Sequence, residues 1–237
     1  LMPFFKRRTI TFGTTEEADF RAKNIVSSGL HSKFFVERRF GGPDLEVELS
    51  MPGKHNVLNA LAALAVASEE NIADEQIISA LKSFSGVGRR FQVTPNCFVA
   101  GKSLTLIDDY GHHPTEVMAV INTVRDAWPD SKLIMVYQPH RYTRTAELFS
   151  EFVSVLSSVD ELILLDVYSA GEKKIAGATT FDLIKAIEMK KDFKVKHARD
   201  ITDSIDILES VCRADDTVLI QGAGNVSLVS RALTSQT

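Results

Sequence analysis

Long hydrophobic runs are missing from this sequence. Its longest apolar stretches, such as Leu61 to Ala67 and Leu162 to Leu165, fall far short of the roughly 20 residues that a membrane span needs. No membrane insertion is expected. A basic excess is missing too. The net charge is −4, which argues against a general nucleic-acid binder, because neutralising phosphates needs a basic surface. Cysteine is scarce. Cys97 and Cys212 have no metal-ligand spacing and suit a reducing, intracellular compartment as small buried hydrophobes. The opening Leu1-Met2-Pro3-Phe4-Phe5-Lys6-Arg7-Arg8 carries its basic residues after its apolar ones, the reverse of a secretory signal, so a cytoplasmic location is expected. Leu1 precedes the first methionine, which is not how an ordinary start codon reads. No Gly-x-x-x-x-Gly-Lys-Ser/Thr phosphate loop occurs, nor do internal repeats or low-complexity tracts.

The second half alternates regularly. Apolar runs of strand length lie at 104–109, 132–138, 161–166, 193–197 and 217–221, with helical patterns at 114–128, 146–159, 181–190, 201–212 and 226–233. This predicts an α/β fold with a mostly parallel sheet covered on both faces. Ligands gather at the carboxyl ends of such strands. Three polar clusters fall there: Asp108-Asp109-Tyr110-Gly111-His112-His113, Gln138-Pro139-His140-Arg141 and Gln221-Gly222-Ala223-Gly224-Asn225. The first half offers a strand at 9–12 and a hairpin of 34–40 with 45–49, turning at Gly41-Gly42-Pro43-Asp44. Helices follow at 56–70 and 74–84. This half reads as sheet-poor, like the tail of an α/β domain whose leading strands are missing. Gly86-Val87-Gly88 marks a hinge, dividing the chain into 1–88 and 89–237.

Several segments can carry chemistry. In Gly53-Lys54-His55-Asn56-Val57-Leu58-Asn59, two asparagines three apart are expected on one helix face. A carboxamide there can pair with the N6 donor and N7 acceptor of adenine; alternatively Asn56 caps the helix. In Gly88-Arg89-Arg90-Phe91 an arginine can reach a phosphate with its planar fork, or make a surface salt bridge.

Asp108-Asp109-Tyr110-Gly111-His112-His113-Pro114 is the richest segment. Its carboxylates can bind a ribose hydroxyl pair or help to hold Mg²⁺, and its histidines can meet phosphate or adjust the protonation of an amine. A polar turn with a capping aspartate is the alternative. Zinc is a third reading, although no second compact His or Cys pair completes four ligands.

In Gln138-Pro139-His140-Arg141-Tyr142-Thr143-Arg144, the i, i+3 spacing of Arg141 and Arg144 predicts two forks converging on one carboxylate. Solvated charge at a helix start is the other reading, though cations there oppose the helix dipole. Gly222-Ala223-Gly224-Asn225 lacks the full dinucleotide glycine pattern. It reads as a tight loop whose backbone approaches a ligand or another loop.

Together, in this order and spacing, these segments resemble the Mur ligase family from about Thr9 to Leu233. Asp109-Tyr110-Gly111-His112-His113-Pro114 followed by Pro139-His140-Arg141-Tyr142-Thr143-Arg144 looks like the alanine-adding branch. Murein-peptide ligases differ at the second motif, and the glutamate- and diaminopimelate-adding branches at both. The resemblance implies the C-terminal portion of a P-loop-type ATPase domain, without its phosphate loop, followed by a Rossmann-like domain that binds an amino acid. It also implies ATP and Mg²⁺ as cofactors, UDP-N-acetylmuramate and L-alanine as substrates, and allows a homodimer. ATP would phosphorylate the lactyl carboxylate, and the amine of L-alanine would attack the acyl phosphate.

Carried over by position, adenine contacts fall on His55, Asn56 and Asn59, a phosphate contact on Arg90 and a ribose contact on Asp109. The amino-acid pocket falls on Tyr110, His112, His140, Arg141 and Arg144, with catalytic roles on His112 and Arg90. The principal Mg²⁺ ligands would lie upstream, so the chain by itself is expected to be inactive. A nucleotide- or amino-acid-binding module without catalysis is the competing expectation.

Overall fold

The computed structural model describes residues 9–235; the segment 1–8, read above against a secretory signal, lies outside the described residues. The chain divides into two compact units, one ending at Gly86 and the other beginning at Val87. No helix among the described residues is long and apolar enough to cross a membrane.

The first unit holds a four-stranded sheet in the order β1-β2-β3-β4, formed by β1 (Phe12–Gly13), β2 (Phe20–Ser28), β3 (His31–Arg38) and β4 (Leu45–Leu49). β1 runs parallel to β2, and the remaining pairs are antiparallel. Period-2 alternation sets the buried face: Ser32, Phe34 and Val36 point inward while His31, Lys33 and Phe35 are exposed. Two helices, α1 (Lys54–Glu69) and α2 (Asp74–Ser83), supply Val57, Leu61, Leu64 and Ile77 to the core that this face builds. The expectation of a sheet-poor half is corrected here. β2 escaped notice because Asn24 at φ 53 and a register shift between Lys23 and Val26 interrupt its alternation.

The second unit is a six-stranded sheet in the order β5-β6-β10-β7-β8-β9. Its elements are β5 (Gln92–Val99), β6 (Lys102–Asp109), α3 (Pro114–Ala127), β7 (Leu133–Tyr137), α4 (Tyr142–Glu147), α5 (Phe149–Leu156), β8 (Glu161–Leu165), α6 (Thr180–Lys190), β9 (Lys196–Ala198), α7 (Ile201–Val211), β10 (Thr217–Gln221) and α8 (Ser227–Thr234). All neighbours run parallel except β5, which pairs antiparallel with β6. Ile134, Val136, Ile163, Leu165, Val218 and Ile220 form one core with Leu208 of α7 and Val229 and Leu233 of α8. The alternate residues, such as Leu133, Met135, Leu162 and Leu219, are equally buried and belong to the opposite face. There α3 packs on α5, and α5 on α6. Burial on both faces makes β7 and β10 continuous apolar runs.

Three expectations change. β5 is an edge strand that the apolar pattern did not reveal, because Pro95 and a register shift between Thr94 and Cys97 break it. The single helix expected at 146–159 is two, divided at Leu148. The strand expected at 193–197, β9, is a short edge strand that begins at Lys196.

Candidate functional site

The carboxyl ends of β6, β10 and β7 are joined by a buried hydrogen-bond network centred on Asp109. Its Oδ1 accepts from the Gly111 N–H at 2.7 Å and from the Gln221 side-chain amide at 2.8 Å, and its Oδ2 accepts from the Phe91 N–H at 2.9 Å. A side chain at Gly111 would bring a Cβ within 2.6 Å of Gln221 Nε2 and 2.7 Å of Asp109 Oδ1, so only glycine lets the loop turn this tightly. Asp109 therefore shapes the turn, and its acceptors point into the protein. Asp108 is also buried. Burial pushes its carboxyl above the usual range, against the pull of the Arg89 guanidinium 3.5 Å away. Arg89, unusual at φ 60, also donates to the Gly222 carbonyl. The adjacent carboxylates thus do not form an open pair for ribose or a cation. Among the described residues no group of three or more His, Cys, Asp or Glu side chains could hold a metal. Neither the Mg²⁺ nor the zinc reading of these residues fits.

The helix α3 starts on His113, whose Nδ1 accepts from the Thr115 N–H at 3.3 Å, while Glu116 accepts from the His112 and His113 N–H groups. The cap is a histidine, not the aspartate of the alternative reading. Burial pushes the Glu116 carboxyl up, but those two N–H groups outweigh it and the net shift is downward.

Above this frame runs a row of rings. Tyr110 meets His112 edge-on with centroids 5.5 Å apart, His112 lies 5.8 Å from His140, and His140 stacks on Tyr168 at 5.4 Å. The guanidinium carbons of Arg89 and Arg90 lie 5.1 and 5.3 Å from the Tyr110 centroid, within cation–π range. At the other end of the row, Arg144 donates to the His140 carbonyl at 3.0 Å and sits 3.3 Å from its Nδ1. Burial, then the charges of Arg144, His112 and Arg141, hold the His140 pKa below its ordinary value.

Arg141 corrects the spacing argument. It is the residue before α4, at φ 74, a left-handed conformation costly for a side-chain-bearing residue and fixed by its N–H donating to the Tyr168 carbonyl at 2.8 Å. Helical i, i+3 geometry with Arg144 therefore does not apply. Arg144 turns back to His140, whereas Arg141 faces Glu172, with Nη1 3.8 Å from Oε1. Glu172 also accepts from the Thr143 N–H at 3.0 Å and its hydroxyl at 2.8 Å. These Thr143 bonds, with Arg141 as a smaller contribution, hold its carboxyl below the usual range.

The glycine loop after β10 approaches another loop. A Cβ on Gly224 would lie 2.2 Å from Gln138 Oε1 and 2.9 Å from Tyr168. Gln138 in turn donates to Asn225 Oδ1 at 2.8 Å and accepts from the Val226 N–H at 3.1 Å. Tyr168 and Glu172 were missed in the sequence. Tyr168 had a usable signal, since it follows the carboxyl end of β8 just as the other clusters follow their strands.

In the first unit, the α1 residues do not form the shared face expected. Asn56 is buried and donates to the Pro52 carbonyl at 2.8 Å, Asn59 is exposed, and His55 is half-buried. Gly53, not Asn56, precedes the helix, with no side-chain cap. With Asn56 buried and Asn59 exposed, the two amides do not present one shared face to an adenine.

Residues 89–224 match the family described as Mur ligase, glutamate ligase domain, and residues 3–67 match the Mur ligase middle domain. Among solved structures, a UDP-N-acetylmuramate-alanine ligase from Thermotoga maritima is 25% identical at a TM-score of 0.76, covering 96% of this chain and 47% of that one. A murein peptide ligase from Psychrobacter arcticus is 19% identical at a TM-score of 0.63, covering 95% and 45%. A folylpolyglutamate synthase from Thermotoga maritima is 21% identical at 0.62, covering 92% and 47%. The last two are likenesses of fold. The chain spans about half the length of these structures.

Proposed function

The chain belongs to the Mur ligase family, and from that premise we propose that it takes part in the ATP-driven joining of L-alanine to the lactyl carboxylate of UDP-N-acetylmuramate. The observation that carries this reading is the ring row Tyr110–His112–His140, flanked by Arg141 and Arg144 at the carboxyl ends of the strands. The alanine branch is supported by the two motifs around Asp109 and Arg141, and by the likeness to an alanine-adding ligase.

Arg141 and Arg144 bind the amino-acid carboxylate, each approaching it from its own anchor. A side-chain exposure of 51% leaves Arg141 able to turn a fork edge outward. His140, whose charged form is disfavoured by burial and by Arg144, accepts from Arg144 and fixes its direction. Tyr110 and His112 line the same row and orient the amine, which must lose a proton before it can attack. His112 is the residue nearest to a proton-handling role there. Arg90, exposed beside Tyr110, is the proposed phosphate contact. Asp109 acts through Gly111 and Gln221 by holding the turn. His55 and Asn59 remain the proposed nucleotide contacts of the first unit, with Asn56 supporting the loop before α1. Catalysis by such a site is chiefly positioning and charge complementarity.

L-alanine titrated into the protein and followed by NMR is expected to shift Tyr110, His112 and His140, and to lose that effect in Arg141→Ala and Arg144→Ala. In a complete ligase carrying these residues, phosphate release with UDP-N-acetylmuramate, ATP and Mg²⁺ should depend on alanine. Turnover or binding indifferent to alanine would overturn the assignment and favour a binding module without catalysis.

A further inference from the structure

Glu172 lies on the loop between β8 and α6, a segment that the sequence motifs do not touch, yet its carboxylate shares a corner with Arg141, Arg144 and His140. It is firmly placed. The Thr143 N–H and hydroxyl donate to its two oxygens at 3.0 and 2.8 Å, and its own N–H donates to the Ser169 carbonyl at 3.0 Å. The loop is further tied by the Tyr168 N–H to the Pro139 carbonyl and by the Arg141 N–H to the Tyr168 carbonyl, both at 2.8 Å. The carboxylate cannot leave without releasing the Thr143 donors. The Arg141 contact, at 3.8 Å, is looser, so that arginine can serve a ligand while Glu172 stays in place.

Charge balance then decides what fits. Arg141, 3.8 Å from Glu172, and Arg144, bonded to the adjoining His140, bring two positive charges to a corner that holds one fixed carboxylate. A ligand bringing one carboxylate is matched. A ligand bringing two must set its second negative charge beside Glu172, and repulsion of this kind is how sites reject wrong partners. We propose that Glu172 selects the charge class of the ligand at the Arg141–Arg144 corner, admitting amino acids with a neutral side chain and refusing dicarboxylates. The proposal rests on the reading of this corner as an amino-acid carboxylate site and adds the basis of its selectivity.

The test is calorimetric titration of the protein at pH 8 with L-alanine, L-asparagine and L-aspartate, in wild type and in Glu172→Gln. The variant keeps an oxygen for the Thr143 donors and removes the charge. Wild type should bind asparagine at least about tenfold more tightly than aspartate, which is nearly the same size, a modest expectation for a like-charge contact. That comparison needs no mutant, so it survives a misfolded variant. Glu172→Gln should shrink the gap to about twofold by strengthening aspartate more than asparagine or alanine. Equal binding of asparagine and aspartate by wild type, or an unchanged gap in a folded Glu172→Gln, would overturn the proposal. Binding of none of the three would overturn the amino-acid reading itself, and this proposal with it.

Discussion

Gln221 and Asp109 meet side chain to side chain at the ends of neighbouring strands, the glutamine donating at 2.8 Å although 112 residues separate the two in the chain. Asp109 also accepts from the Phe91 and Gly111 N–H groups, so Asp109→Ala strands three donors in a buried place. Each such group costs about 1–3 kcal/mol. The expected loss is about 3 kcal/mol or more, measured as a lower urea midpoint at an unchanged slope. Asp109→Asn, which keeps one acceptor, should lose less.

Gly224 allows no side chain. A Cβ there would lie 2.2 Å from Gln138 Oε1, and the glutamine is held on both ends by Asn225 and Val226. Gly224→Ala should destabilise the second unit by about 1–3 kcal/mol through overpacking. Thermal unfolding checks the loss, and NMR should show the Gln138 side-chain amide displaced.

His140 should titrate below 6.5, because burial and then Arg144 disfavour its charged form. Since the unfolded chain takes up the proton more readily, this stabilising contribution is complete above about pH 6.5 and is lost as pH falls through the depressed folded value. NMR titration of the imidazole tests the direction. Arg144→Met should raise the midpoint, since it removes one of the opposing charges while leaving burial in place.

Asp203 on α7 is hydrogen-bonded by Arg199 through Nε, Nη2 and the backbone N–H at 3.1, 3.1 and 2.8 Å. The Arg199 side chain foremost, then its N–H, depress the carboxyl from 3.8 to about 2. Its contribution is present above 3.8 and fades as pH falls through about 2. Carbon-detected titration should find that value, and Arg199→Ala should move it up toward 3.8.

Much of the second unit was legible because strands buried on both faces become unbroken apolar runs, as in 133–137 and 217–221. The clusters around Asp109, His140 and Gly222 could be placed at strand ends for the same reason. β2 and β5 were not legible, since bulges at Asn24 and Asn96 interrupt their period. Side-chain direction was harder still. The i, i+3 argument for Arg141 assumed helical backbone where φ is 74. Likewise, Asn56 looked available only because its burial and its bond to the nearby Pro52 carbonyl cannot be seen in a helix-face argument. Glu172 carried no local pattern at all; Thr143, which donates to it, lies 29 residues earlier.

β10 sits between β6 and β7 in the sheet but follows both in the chain. Until Thr217–Gln221 is made, those two strands have no shared neighbour, and the middle of the sheet stays open. Closure of that gap spans long loops, which slows folding and prolongs exposure of unpaired apolar strands. Synthesis of the second unit thus has an all-or-nothing character. Pulse-labelled amides of β6 and β7 should gain protection in step with those of β10, and a nascent chain halted at Asp216 should remain dependent on chaperones.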